Sequence, residues 1–186
     1  FPSAIIKLTS YLVFPLMIGL ATVAEPFIQV VLTDKWIDCV PYMQVLCIAY
    51  MWDPLMNFSV VLINSKGRSE YTFKAEIIKK ITAIAILAAT IPAGVMAMCC
   101  GLLIYSFADI FIITRFTRIV LPEVNLKNHF KEIMPVAIQS VIMGIIVFCI
   151  MGLFDSAICK LIYGIISGVI GYIILSFFIC RNEMSY

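Results

Sequence analysis

The sequence predicts an all-α integral membrane protein of six transmembrane helices, and three observations carry that expectation. First, 63% of the 186 residues are hydrophobic and only 13% are charged. A soluble domain carries about 25% charged residues, so too few polar side chains are present to coat a water-soluble core. Second, the apolar residues form runs about as long as a bilayer is thick, roughly 20 residues for 30 Å of hydrocarbon. Their hydrophobicity is continuous rather than alternating with period two, which selects helices over barrel strands. Third, the basic residues sort to one side once the runs are threaded through a membrane.

The first expected span covers 11–33, apolar except for Glu25, and the second covers 41–64, apolar except for Asp53. Residues 66–80 (KGRSEYTFKAEIIKK) are polar. The following apolar run, 81–114, carries only Asp109 and is 34 residues long. As one helix it would reach about 50 Å, but Pro92 and Gly94 favour a turn inside it. Two spans result, 77–91 and 95–114. The first is short unless it begins within the preceding polar stretch, with Lys79 and Lys80 snorkelling to the headgroups. Residues 133–153 and 157–180 complete the set. The opening FPSAIIKL lacks the charged start and cleavage site of a signal peptide.

Six spans place Lys7, Lys66, Arg68, Lys74, Lys79, Lys80, Arg115, Arg118, Lys127, Lys131 and Arg181 on one side. Only Lys35 and Lys160 fall on the other, eleven against two of the 13 basic residues. The positive-inside rule then makes both ends of the segment cytoplasmic. The outer connections are short, so their flanking helices are antiparallel neighbours. Residues 118–132 fit either an interfacial segment, with Ile119, Val120, Val124, Leu126 and Phe130 partly buried, or a solvated loop.

Glu25, Asp53 and Asp109 are acidic residues inside spans, where a carboxylate costs about 2.5–3.5 kcal/mol on insertion scales. They are the candidate ion-coupling or cavity residues. Glu25-Pro26 and Asp53-Pro54 also mark helix breaks, and interrupted helices with acids at mid-depth are a transporter pattern. The competing reading is a carboxyl satisfied by hydrogen bonds within the bundle, and Asp109 sits near enough to Arg115 to reach the interface. Gln44, Asn57, Asn64 and Gln139 are suited to hydrogen bonds between helices. Gly164, Ser167, Gly168 and Gly171 give the last helix a small-residue packing face. Trp36, Tyr42, Tyr105 and Tyr163 suit the headgroup region.

The mild net charge of +2 does not argue for nucleic acid as a partner. Of seven cysteines, Cys47, Cys99, Cys100, Cys149 and Cys180 lie in apolar runs, no CxxC occurs, and His129 is the single histidine. They read as small hydrophobes, and no metal site or cofactor is expected. Catalytic signatures are missing too: no Ser/His/Asp set, HExxH or glycine-rich phosphate loop can be found. A transporter is expected rather than an enzyme. Lys66, Arg68 and Lys74 are basic enough to hold a phosphate, although orientation alone accounts for them.

The stretch FPLMIGLATVAEPFIQVVLTDKWIDCVPYMQVLCI (14–48), the helix with Pro54, Leu55 and Asn57, then Lys66-Gly67-Arg68-Ser69 and Lys74-Ala75-Glu76-Ile77-Ile78-Lys79-Lys80 resemble bacterial polysaccharide and lipopolysaccharide exporters. These are Wzx-type flippases of the multidrug/oligosaccharidyl-lipid/polysaccharide (MOP) superfamily. The specific likeness covers the first 80 residues, and beyond Ile81 it rests on hydropathy and helix count. The resemblance implies a MATE-like transporter of twelve to fourteen helices in two lobes around a cavity. This chain would supply the C-terminal lobe in the bacterial inner membrane, with the N-terminal lobe absent. The implied work is to move undecaprenyl-pyrophosphate-linked oligosaccharide between leaflets. Arg68 and Arg115 are then candidate cytoplasmic-mouth cations for the pyrophosphate. Expected partners are the lipid-linked oligosaccharide, the bilayer, the other lobe or polymerase and glycosyltransferase proteins, and a coupling proton or sodium ion. A drug/cation antiporter of the same superfamily and a non-transporting scaffold of a polysaccharide assembly complex are the alternatives.

Overall fold

A computed structural model describes residues 2–121 and 126–183, with side chains described over 8–121 and 133–177. Lys7, Lys127, His129, Lys131, Cys180 and Arg181 therefore lie outside the described side chains. Every regular element among the described residues is helical: α1 (Pro2–Thr22), α2 (Ala24–Val31), α3 (Val40–Tyr50), α4 (Asp53–Ser65), α5 (Ser69–Thr90), α6 (Val95–Val120), α7 (Leu126–Met151) and α8 (Ala157–Glu183). Short 3₁₀ turns at Asp34–Cys39 and Ile91–Ala93 join α2 to α3 and α5 to α6. The chain is an all-α membrane protein.

The helices differ from the expected spans at the acid-proline pairs. Pro26 has no N–H to offer the carbonyl of Thr22, so α1 stops there. The chain bends by 69° at Val23 and resumes as α2. Pro26 then sits in the first turn, where a missing donor costs little, and Glu25 beside it faces the positive end of the helix dipole. The second expected span breaks in the same way. Met51 and Trp52 form a turn, and α4 opens on Asp53 with Pro54 in its first turn. Each acid-proline pair is thus where a helix restarts.

Helix α5 begins at Ser69 rather than near 77, inside the polar stretch, and so carries Lys74, Glu76, Lys79 and Lys80. Among the described residues, four stretches are long and apolar enough to cross a membrane: Asp34–Ser65, Val95–Val120, Ile133–Met151 and Ala157–Phe177. The bent pair Leu8–Thr22 with Ala24–Val31 makes a fifth. Length and composition give four or five spans, not six, because the charges of α5 exclude it. The expected turn at 91–94 is present: Gly94 takes φ +95°, open to glycine at little cost, and starts α6. Helix α6 runs on to Val120, past the expected end at 114. This takes up the start of the 118–132 segment, and residues 122–125 lie outside the described residues.

The chain divides into two compact units. Unit 1 comprises Phe1–Ser10 and Ile48–Ile133. Its core is Met56, Ile63, Ala75 and Ile113, contributed by α4, α5 and α6, with Trp52, Val60, Tyr71 and Phe116 packed around it. Gly101 allows α5 and α6 to approach closely. A Cβ there would lie 3.0 Å from Thr90 Cγ2 and 3.1 Å from Ile86 Cγ2. Thr90 itself bonds back to the Ile86 carbonyl at 2.9 Å, which holds its methyl against α6.

Unit 2 comprises Tyr11–Cys47 and Met134–Tyr186. Val23, Met143, Val147 and Met151 form its core, with Leu161, Tyr172 and Leu175 against them. The small-residue face of α8 is used in part. Gly164 packs on Met151 and Val23, Gly168 on Val147, and Gly171 meets open space. The amides serve as helix ties. Gln139 Nε2 donates to the Tyr172 carbonyl at 3.3 Å, joining α7 to α8. Gln44 Nε2 donates to the Ala21 carbonyl at 3.1 Å, joining α3 to the end of α1 beside the bend.

Candidate functional site

The site grows out of the α5–α6 hairpin in unit 1. Lys79 lies 13 residues before Pro92, and Asp109 lies 17 after it, so the hairpin brings them nearly level. Lys79 Nζ sits 3.1 Å from Asp109 Oδ1 and 2.8 Å from Glu76 Oε1. The side chains of Lys79 and Asp109 are only 11% and 8% exposed, whereas Glu76 is 41% exposed. The contact to Asp109 is an ion pair without a well-directed hydrogen bond. A buried ion costs several kcal/mol unless it is paired, so each of the two makes the burial of the other tolerable. Lys79, expected to snorkel outward, and Asp109, expected near the interface, are instead buried against each other between α5 and α6. Both face inward.

Next to this pair, α4 contributes Asp53. Asp53 and Asp109 line one cleft of about 70 Å³ with Ala49, Tyr50, Met56, Leu102, Tyr105 and Ser106. Ser106, fully within the bundle, donates to the Ala49 carbonyl at 2.8 Å, in the last turn of α3. That bond takes up backbone polarity where the helix ends at the α3–α4 break. Asp53 itself is exposed at the cleft edge. Three carboxylates, those of Asp53, Glu76 and Asp109, therefore lie around the cleft and the buried Lys79. Tyr105, read from sequence as a headgroup anchor, is half-buried and lines the cleft instead.

Of the residues singled out by sequence, Asp53 and Asp109 come together. Glu25 belongs to unit 2, exposed in the first turn of α2. Arg68 is exposed, 3.8 Å from Glu70, with its guanidinium 4.9 Å from the centre of the Tyr71 ring. Arg115 is exposed on α6, away from the cleft lining. Sequence reasoning missed Lys79 and Glu76 as members of the site, counting Lys79 among the cations of a cytoplasmic loop. The available signal was the hairpin itself: opposite charges at similar distances from one turn. Among the described residues no three His, Cys, Asp or Glu side chains are grouped to hold a metal ion.

Residues 3–41 match the family model described as "Polysaccharide biosynthesis protein". The chain is 29% identical over 143 residues to the teichuronic acid biosynthesis protein TuaB of Bacillus subtilis (strain 168), covering 76% of this chain and 29% of that protein. It is 32% identical over 101 residues to an uncharacterized membrane protein in the cps region of Klebsiella pneumoniae, covering 54% of this chain and 21% of that protein. The chain thus spans less than a third of either relative. No solved structure matches. With the several apolar helices, these matches make the chain similar to polysaccharide-biosynthesis membrane proteins and point to a multi-pass membrane protein.

Proposed function

We propose that the chain is the C-terminal lobe of a MOP-type flippase that translocates undecaprenyl-pyrophosphate-linked oligosaccharide across the bacterial inner membrane. The observation that carries this reading is the buried Lys79–Asp109 pair beside a cleft opened by a broken helix. Polar machinery of this kind, within helices otherwise suited to lipid, is what a transport path requires. The likeness to a teichuronic acid biosynthesis protein and to a membrane protein in a cps region favours a polysaccharide as the cargo class.

In this reading α5 is the sixth span. Its Lys79 is neutralised by Asp109, which removes the largest obstacle to its crossing. Both ends of the segment are then cytoplasmic, as the sorting of basic residues favours. A proton or sodium ion arriving at Asp53 or Asp109 would compete with Lys79 and loosen α5 from α6, the two-state element that alternating access needs. Glu25, in unit 2, is a separate candidate coupling group. Arg68 and Arg115 would draw the pyrophosphate to the cytoplasmic mouth, and an N-terminal lobe or glycan enzymes would complete the machine.

The test is surface-glycan output from the whole gene carrying single substitutions. Asp109→Asn and Lys79→Met are expected to cut output at least tenfold while the protein still reaches the membrane. Unchanged output from both, and unchanged ion dependence in Asp53→Asn and Glu25→Gln, would end the coupling role. The carboxylates at the cleft also suit an organic cation as cargo. A change in drug susceptibility without any change in surface glycan would select that antiporter reading.

A further inference from the structure

The turn after α4 gathers cations around one aromatic ring. Helix α4 ends at Ser65, which also closes the candidate span Asp34–Ser65. Immediately beyond it, Arg68 and Lys74 both face Tyr71. The guanidinium carbon is 4.9 Å and the ammonium nitrogen 5.2 Å from the ring centre. Tyr71 is half-buried against the α4–α5–α6 core, so the ring is fixed while both cations remain exposed. Their one described counter-charge is Glu70, 3.8 Å from Arg68 and 60% exposed. A pair that open to solvent contributes little.

An apolar stripe starts at the same place. Phe73, Ile77 and Ile81, spaced four apart and so on one helix face, are 67%, 44% and 62% exposed. Two clustered cations at the end of a membrane span, above a continuous apolar track on the same helix, match the two halves of a phospholipid. We infer that Arg68, Tyr71 and Lys74 form a binding site for the phosphate of an anionic phospholipid headgroup, with an acyl chain along Phe73, Ile77 and Ile81. The apolar track distinguishes the ligand from a soluble phosphate, which would use the cations alone. The site does not depend on the export reading.

The test titrates the whole chain, in neutral detergent, with phosphatidylglycerol and separately with phosphatidylcholine, reading bound lipid by native mass spectrometry. Phosphatidylglycerol is expected to bind more tightly, and its binding to weaken as salt is raised. A cation near a membrane surface is worth about fivefold in affinity for anionic lipid, so Arg68→Gln with Lys74→Gln should weaken phosphatidylglycerol binding about thirtyfold. The charge-preserving pair Arg68→Lys with Lys74→Arg should stay within about threefold of the parent and serves as the folding control. Equal binding of the two lipids, or an undiminished preference in the double glutamine variant, would overturn the site. Displacement by inorganic pyrophosphate at matched concentration would reassign it to free phosphate. Tighter binding of a polyprenyl diphosphate than of phosphatidylglycerol would reassign it to the cargo. Either reassignment overturns the phospholipid inference, and loss of phospholipid preference alone leaves the export reading standing.

Discussion

Removing either member of the Lys79–Asp109 pair strands the other, and the two losses should be unequal. Lys79→Met leaves Asp109, 8% exposed at its side chain, without its ion-pair partner. Breaking a buried pair in this way costs about 3–5 kcal/mol. Asp109→Leu leaves Lys79 still 2.8 Å from Glu76, which is partly open to solvent. The residual pair offsets part of the penalty, so about 2–3 kcal/mol is expected. The double variant Lys79→Met with Asp109→Leu removes both charges and fills the space with apolar atoms. Replacing a buried pair in that manner is often neutral, so the double variant should be no less stable than the milder single and within about 1 kcal/mol of the parent. The coupling energy would then be several kcal/mol and opposite in sign to the single losses. Unfolding titrations with SDS in mixed micelles, on all four proteins, measure the cycle. Single effects that simply add, with coupling under about 0.5 kcal/mol, would refute the buried pair. If the double variant is stable but exports no glycan, the pair is retained for transport and not for folding.

Three further outcomes follow from the packing and the topology. Gly101→Val should destabilise by about 1–3 kcal/mol because the added carbons meet Thr90 and Ile86, whereas Gly171→Ala, in open space, should stabilise by about 0.5–1 kcal/mol; the same SDS titration reads both. Ser106→Ala strands the Ala49 carbonyl and should cost about 1–3 kcal/mol, while Gln44→Leu, losing an exposed 3.1 Å bond, should cost about 0.6 kcal/mol. If α5 crosses the membrane, single cysteines placed at Lys66 and Gly94 should react with impermeant maleimide from opposite sides; reaction from one side would make α5 a surface helix.

The sequence made the class of protein and the hairpin turn legible, because both rest on local chemistry. Apolar runs of bilayer length have few alternatives, and Pro92 with Gly94 interrupts a helix wherever it lies. The acid-proline pairs announced breaks, but not that Glu25 and Asp53 would sit in the first turn of the following helix. That placement follows from where proline is tolerated, which composition alone does not display. The Lys79–Asp109 contact was hidden because it joins residues 30 apart across a turn. Counting Lys79 as a loop cation, for the sake of charge sorting, concealed that it pairs with Asp109. Helix α5 is the other departure: the sequence suggested a span at 77–91, but the helix starts at Ser69 and carries Lys74, Glu76, Lys79 and Lys80, too many charges to count as a span by length and composition. Tyr105 departs as well: residue type suggested the headgroups, although it lies midway along the expected span 95–114, and it lines the cleft.

The central claim, export of a lipid-linked glycan, is tested most directly by the leaflet position of the glycan precursor. A bacterium carrying the whole gene is compared with its disruptant, and the precursor is probed in intact spheroplasts with an impermeant sugar-oxidising reagent. The account predicts that the disruptant accumulates precursor protected on the cytoplasmic leaflet and loses surface glycan, and that the intact gene restores both. Precursor equally accessible in the two strains, with surface glycan unchanged, would contradict it.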